Sequence, residues 1–482
     1  MSFSATLSIA QSGLQVATSQ ARVIADNVAN ANTEGYSRRT LVTSQQVVSG
    51  NGAGVRVAGL EGANAGAVTR QRLEIAADDA YASTRSDAAS FLTDLIGEPG
   101  VENGLFGAYA DFESALRDVA ATPESETLLQ QAVEVTRALT SEFNRISTQA
   151  DAQRSEADRQ IGLGVEIVNG ALTRLEELNG SAAGNASPDV ADERLRLISE
   201  VNEYIPVRVY ENGGNVTLTT ESGVVLLGNK ARTVEFSPAG IVGRTQTLGT
   251  PLSGLTVDGT DITPSGPGVQ RVQGGRLAAF FEQRDITIPN FQDQVDALAT
   301  DLVTRFGEDP VDPTKTVGEA GLFTDGTSTS PTGDGIGIAA RIQINAAVDP
   351  QEPGGAVYRL RDGLGAVAPG PAGNSDQLNR LITAFTATRT PPADLNVQAA
   401  ASATAFVSEI GSQVAYADKN AADQALFFSA RLNTAIDNEL SITAVDTDLQ
   451  LQQLLLVEQA YAANAQVITT VSSLIQELLS IV

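Results

Sequence analysis

Both ends of this chain carry apolar heptads, and no other feature of its 482 residues constrains the fold as strongly. At the N-terminus Leu7, Ala10, Leu14, Ala17, Ala21, Ile24, Val28 and Ala31 recur at alternating spacings of three and four. At the C-terminus Leu454, Val457, Tyr461, Ile468, Val471, Ile475, Leu478 and Val482 do the same, with one polar break at Asn464. Such spacing puts each set on one stripe of an α-helix, the geometry of a coiled-coil seam. At 1.5 Å per residue each helix would run roughly 45–50 Å, so the two could lie side by side.

The faces outside the stripes are poor in charge. Residues 1–31 carry only Arg22 and Asp26, and residues 449–482 only Glu458 and Glu477. A solvated helix normally uses Lys and Glu on its wet face. One intramolecular partner covers one stripe, as in a helical hairpin closing an ordinary domain. Helices this poor in charge are built to be covered on several sides, which points to neighbouring subunits.

The chain is long enough for two to four domains. Lys plus Arg is 31 and Asp plus Glu is 58, so the formal net charge is 31 − 58 = −27. That argues against a nucleic-acid partner or an anionic membrane surface, and fits simple solubility. There is no Cys and no His. Ser-His-Asp triads, Cys-His dyads, zinc sites and thiol redox sites are therefore excluded within one chain. No cofactor is expected. Met1-Ser2-Phe3-Ser4-Ala5 lacks the basic and apolar regions of a signal peptide, so export would need another route. Leu454-Leu455-Leu456-Val457 is too short to span a bilayer, and no membrane insertion is expected.

Along the chain, Asn32-Thr33-Glu34-Gly35-Tyr36 reads as a helix C-cap and turn. Residues 37–72 read as extended, with a turn at Gly50-Asn51-Gly52. Helices are expected at about 73–96, 105–121, 124–178 (bent at Gly162 and Gly164) and 189–203. Short strands follow from Ile205, with a hairpin turn at Asn212-Gly213-Gly214-Asn215. Gly274-Gly275 opens a helix of about thirty residues. Residues 307–375 are rich in Gly, Pro, Asp, Ser and Thr and read as exposed loops with a strand near Ile338–Ile344. Helix returns over 397–440.

The expected fold class is α+β, mainly α: long terminal helices form a coiled-coil rod from both chain ends, and a central β-rich insertion projects outwards. The expected organisation is an N-terminal assembly helix (1–36), a helical rod (37–203) with an extended β segment at 37–72, and a central β-rich domain with a following helix (204–306). After these come an exposed loop-rich insertion (307–375), a returning helical rod (376–440) and a C-terminal assembly helix (441–482).

Other motifs carry little chemistry. Gly333-Asp334-Gly335-Ile336-Gly337 lacks the last glycine and the strand–turn–helix context of a dinucleotide site. Asp78-Asp79, Glu176-Glu177 and Asp192-Glu193 are helix neighbours that point in different directions, so they read as solvated faces. Asp325 to Asp334 lacks the twelfth-position Glu of a calcium loop. Tyr36 and Tyr461 stand among small residues as core positions or interface anchors.

The segment Ala25-Asp26-Asn27-Val28-Ala29-Asn30-Ala31-Asn32-Thr33-Glu34-Gly35-Tyr36 resembles the N-terminal signature of bacterial flagellar rod, hook and hook-associated proteins. Glu458-Gln459-Ala460-Tyr461-Ala462-Ala463-Asn464-Ala465-Gln466-Val467-Ile468 resembles their C-terminal signature. Gly35-Tyr36-Ser37-Arg38 is closer to the FlgK family of hook-associated proteins than to hook proteins, which usually have Phe after the glycine. Gly274-Gly275-Arg276-Leu277, Glu282, Arg284-Asp285, Ile288-Pro289 and Asp192-Glu193-Arg194 are also similar to FlgK segments. Two features depart from the pattern. Glu34 stands where the family often has Pro, and Ala444-Val445-Asp446-Thr447 replaces a glycine-containing lead into the last helix.

The resemblance implies a non-enzymatic structural adaptor of the flagellum, at the junction joining hook to filament and exported by the flagellar type III system. It implies self-assembly into a helical or ring-like layer, with hook protein and a second junction protein as neighbours. It also implies an export chaperone on the C-terminal helix. The expected assembly interface comprises Leu7, Leu14, Ile24, Val28, Asn30, Asn32, Gly35 and Tyr36 with Leu454, Tyr461, Asn464, Ile468, Val471, Ile475 and Leu478. A hook or rod subunit would share both signatures. A carboxylate-dependent cell-wall glycosidase is the remote enzymatic alternative.

Overall fold

The computed structural model describes residues 3–33, 35–48, 51–98, 101, 103–181, 187–212, 214–326, 335–391 and 400–481. Glu34, Gly50, Gly213, Gly333, Asp334, Val482 and residues 327–332 lie outside them. The described chain is mainly helical with small sheets, as expected for the fold class. It divides into two compact units, each built from separated stretches.

The first unit comprises residues 1–78, 167–233 and 428–482. It begins with α1 (Phe3–Ala29), then the antiparallel hairpin β1 (Arg39–Val48) and β2 (Asn51–Gly62), in which Arg39 pairs with Gly62 and Val48 with Asn51. The ladder is interrupted by register shifts at Val42/Thr43 and Gln46/Val47. Helix α2 (Gly66–Ile96) starts seven residues before the expected Leu73. Asn64 Oδ1 accepts from the Gly66 amide at 2.9 Å and supplies a start, while the first turns carry too few apolar residues to show a helical period.

Helix α4 (Glu126–Ser181) ends in the first unit, and α5 (Pro188–Tyr204) follows within it. Pro188 and Asp189 sit in the first turn of α5, where a missing N–H costs nothing and a negative charge meets the helix dipole. Strands β3 (Val207–Asn212), β4 (Asn215–Thr220) and β5 (Val225–Leu227) form an antiparallel sheet, the first two joined by the expected hairpin. Helix α10 (Ala403–Thr443) leads by a short link to α11 (Thr447–Ile481).

The second unit comprises residues 79–166 and 234–427. It holds α3 (Gly104–Ala121) and the first part of α4, which Ser125 caps by accepting from the Leu128 amide at 3.3 Å. Five two-residue strand pieces follow: β6 (Val234–Glu235), β7 (Thr247–Leu248), β8 (Pro251–Leu252), β9 (Thr256–Val257) and β10 (Thr260–Asp261), of which β10, β9 and β6 form one sheet in that order. The expected central β-rich domain is thus shared: β3–β5 belong to the first unit and β6–β10 to the second. Gly162 sits inside an unbroken α4, and an added Cβ there would lie 3.1 Å from the Pro238 ring. Its use is close approach.

The helix opened by Gly274-Gly275 is α6 (Gly275–Glu282) continued by α7 (Ile288–Gly307), with a π turn at Gln283–Thr287 between them. Pro289 has no N–H to give the carbonyl four residues back, and the helical ladder widens there. Arg284, on that turn, is fully buried. It donates to Asp158 at 2.7 Å and to Asp285 at 2.8 and 3.0 Å, and its guanidinium lies 4.7 Å from the Phe281 ring centre. Arg154 donates to the carbonyls of Arg284, Gly243 and Gln246. Glu282 pairs with Arg85 at 3.1 Å and accepts from the Tyr81 hydroxyl.

The expected exposed insertion at 307–375 is corrected. It is rich in loops, but β11 (Phe323–Asp325) pairs with β12 (Ile342–Ile344), and Leu322, Phe323, Ile338, Ile342, Val348 and Leu360 are buried in the main core. Phe323 lies 5.2 Å from Phe306 and 5.6 Å from Phe112, and Phe112 lies 5.3 Å from Phe385, edge to face. Glycines and prolines break these apolar positions into pieces too short to show a period. The expected strand at Ile338–Ile344 is a 3₁₀ turn, Ile338–Ala340, followed by β12. Helices α8 (Tyr358–Asp362) and α9 (Asp376–Thr386) complete the unit with the start of α10.

Candidate assembly site at the chain ends

Within the first unit, α1 packs against α11. The buried side chains of α1 are Ala10, Ala17 and Ile24, spaced by seven, with Asn27 after them. On α11, Gln450, Val457 and Val471 are buried and Asn464 is half-buried, again a sevenfold series. Ala17, Ile24 and Val457 form a closed apolar cluster against which Ala21 packs. Asn27 Nδ2 donates to Gln450 Oε1 at 3.0 Å. A Cβ on Gly13 would fall 2.7 Å from Asn464 Oδ1, so these two residues are also face to face. The pairs 27/450 and 13/464 are each fourteen residues apart on their own helices, and they run in opposite directions. The two ends therefore pair antiparallel. The polar break in the C-terminal heptad sits where α1 has no side chain.

Asn27 is 1% exposed and every polar position of its amide is used. Nδ2 donates to Gln450 and to the Arg39 carbonyl at 2.9 Å; Oδ1 accepts from the Tyr36 hydroxyl and the Arg39 amide, both at 2.9 Å. A buried amide so satisfied fixes its neighbours tightly. The chain reaches this arrangement through a turn in which Thr33 N donates to Asn30 O at 2.9 Å and Tyr36 N to Thr33 O at 3.2 Å. Gly35 there has φ +78°, the left-handed region that glycine enters without strain. The Asn30 side chain donates back to the Asp26 carbonyl.

The turn is anchored to α5. Ser37 Oγ donates to Asp192 at 2.7 Å, and Arg39 reaches Asp189 at 2.5 Å and Asp192 at 3.4 Å while lying 4.5 Å over the Tyr36 ring. Burial raises the Tyr36 phenol above its ordinary value against the opposing pull of Arg39. Arg38 N donates to the Thr443 carbonyl at 2.8 Å. Arg194 serves the fold locally, donating to the carbonyls of Gly214 and Leu178. At the head of α11, Asp446 Oδ1 accepts from the amides of Asp448 and Leu449, both at 3.0 Å. The lead that lacks a glycine is thus capped by a carboxylate.

Of the residues expected at the interface, Ile24 and Val471 are buried, and Leu7, Leu14, Asn30, Tyr36, Asn464, Ile468 and Ile475 are half-buried. Val28, Asn32, Gly35, Leu454, Tyr461 and Leu478 are exposed. The exposed members of α11 are joined by Leu451, Leu455, Leu456 and Leu479, and Leu455 is 59% and Leu479 72% exposed. Asn27, Gly13, Gln450 and Asp192 were not among the expected interface residues. For Asn27, Gly13 and Gln450 the signal is a polar or absent side chain on the buried heptad face: Gly13 and Asn27 lie three residues after Ala10 and Ile24, and Gln450 lies seven before Val457. Among the described residues no acidic group is arranged to hold a metal, and no helix is long and apolar enough to cross a membrane.

Residues 90–310 match the family model described as the flagellar hook-associated protein FlgK helical domain. Residues 7–36 match that of the flagella basal body rod protein. Flagellar hook-associated protein 1 of Salmonella typhimurium is 25% identical over 250 residues, covering 49% of this chain and 45% of that protein. The match thus spans about half the length of that relative. The protein of the same description from Bacillus subtilis is 22% identical over 509 residues, covering 95% of this chain and 94% of its own. The flagellar hook junction protein FlgK from Burkholderia pseudomallei superposes with a TM-score of 0.43 at 20% identity, over 53% of this chain and 47% of that one. Over residues 90–310 this chain is thus similar to the flagellar hook-associated proteins, and over residues 7–36 to the flagella basal body rod proteins.

Proposed function

We propose that this chain is a structural subunit of the bacterial flagellum that joins the hook to the filament, by folding of its terminal helices coupled to assembly. One observation carries the reading: α11 presents a row of exposed leucines, from Leu451 through Leu479, on a helix whose only charges past Leu449 are Glu458 and Glu477. A face of that kind is stable in water only when covered. Leu454, Tyr461 and Leu478 then meet neighbouring subunits, while Ile24 and Val471 close the pair within the chain. The closed cluster of Ala17, Ile24 and Val457 is small, and so small a cluster does not offset the entropy of ordering two long helices in a dilute chain. Order completed by neighbours keeps the subunit from polymerising early.

In this reading the neighbours are further copies in a helical or ring-like layer, hook protein on one side and a second junction protein on the other. Contacts of this head-to-tail kind propagate helically. Before export through the flagellar type III system, a chaperone covers the apolar face of α11. The protein acts outside the cell, in the flagellum, as a structural element and not as an enzyme.

Deletion of the gene from its own host tests the reading. The junction assignment predicts hooks of normal length that carry no filament. Cells with no hook at all would favour the second reading, a hook or rod subunit, which the shared terminal signatures also allow.

A further inference from the structure

The apolar seam between α1 and α11 does not define its own register. Ala10, Ala17 and Ile24 recur every seven residues on one helix, and Val457 and Val471 lie fourteen apart on the other. A slide of one heptad brings small apolar residues opposite small apolar residues again. The polar members of the same stripes are not interchangeable. Asn27 faces Gln450, and Gly13 faces Asn464. After a slide one way Asn27 would meet Val457; after a slide the other way it would lie opposite Thr443, beyond the start of α11. Either slide removes the Gln450 acceptor from a buried amide that now has all its partners. Asn464 would meet Gln20 or Thr6, each with a Cβ in the space that Gly13 leaves open.

We propose that the Asn27–Gln450 amide pair and the Gly13–Asn464 contact are the two register keys that select one alignment of the chain's ends. A buried polar pair in an apolar seam excludes the alternatives that would leave it unpaired, and a missing side chain opposite a polar one adds a steric key. The inference deepens the assembly reading above and rests on it for its consequence: a fixed register fixes which leucines of α11 face outward in every subunit.

The chain contains no cysteine, so introduced pairs report without interference. Ala21→Cys with Val457→Cys reports the observed register. Leu14→Cys with Val457→Cys, and Val28→Cys with Val457→Cys, report the two one-heptad slides. Disulfide equilibria are measured on the purified full chain in glutathione buffer. Loops of about 430 residues have nearly equal closure costs, so even a minority of paired helices dominates the differences between reporters.

The parent chain is expected to favour the 21/457 disulfide by tenfold or more over both others. Adding Gly13→Ala and Gln450→Leu, which remove both keys and raise helix propensity, is expected to bring a slid reporter to within about threefold of it. Gln450→Leu alone should fall between, and circular dichroism should show no loss of helix in either variant. An unchanged preference in the double variant overturns the proposal, because the anchored turn at Ser37 and Arg39 then sets the register. Equal reporters in the parent overturn it as well. Neither result touches the position of the protein in the flagellum, which the deletion test decides separately.

Discussion

The Tyr36 hydroxyl donates to Oδ1 of Asn27 at 2.9 Å, closing a turn that carries the chain from the end of α1 into β1. The same Asn27 amide reaches Gln450 on α11, so one side chain ties the N-terminal signature to the C-terminal helix. The Asn-to-Tyr spacing of the signature thereby acquires a physical reason. Eight residues separate them, and the path over the end of α1 and the turn after it brings the phenol back over the amide it must satisfy.

Brief proteolysis of the dilute chain should remove about residues 1–35 and 445–482 and leave the middle intact. Cleavage of a segment that opens and recloses quickly tracks its open population. Mass spectrometry of the fragments gives the sites. Ends that resist the protease in dilute solution would contradict folding coupled to assembly.

Asp192→Ala should loosen the start of β1 without disturbing the second unit. It removes the acceptor of Ser37 Oγ and one of the two carboxylates on Arg39. The other, Asp189, has a side chain 70% exposed and compensates little. The expected loss is about 1–2 kcal/mol, and urea titration with hydrogen exchange of the β1–β2 hairpin measures it. An unaltered hairpin would show that the turn is held by Asn27 alone.

In the second unit, Asp158→Ala should cost about 3 kcal/mol, because Arg284 is left fully buried with one carboxylate in place of two. The Ala239 amide also loses its acceptor. Replacing the whole buried triad, Arg284→Met with Asp158→Leu and Asp285→Asn, should recover much of the loss. Thermal melts of the two variants against the parent give the comparison, and equal losses in both would remove the ion pair as the cause.

Alkaline pH should weaken the second unit through Tyr81, whose pKa is pushed up to about 12 by burial and by its bond to Glu282. A phenol raised in the folded state above its unfolded value near 10 contributes fully below that value. The contribution is lost as pH rises from about 10 through 12. Denaturation midpoints at pH 9 and pH 11.5 should differ more in the parent than in Tyr81→Phe. The same difference in both would assign the alkaline loss to other groups.

Periodic features were legible in the sequence and broken ones were not. The heptads of α1 and α11 and the long α4 follow from spacing alone, whereas residues 37–72 read as extended with a turn at 50–52, where the structure already has β2 begin at Asn51. The core role of Phe323, Ile338 and Ile342 is hidden by the glycines and prolines around them, because pieces of three residues carry no period. The π turn at Gln283–Thr287 is written in Pro289, whose missing N–H implies a local break but not its form. At the chain ends, apolar residues marked the stripe, yet Gly13, Asn27, Gln450 and Asn464 make the specific contacts. A polar residue in a heptad gives no sign of its partner until the two helices are aligned. The leucines of α11 that the seam leaves out were legible as apolar, but which of them stay exposed depended on that alignment.

Immunogold electron microscopy of isolated hook–filament particles tests the central claim most directly. Antibody against this chain should label a narrow band at the boundary between hook and filament. Label along the whole curved hook would make the chain a hook subunit, and particles that carry no label would contradict the flagellar assignment altogether.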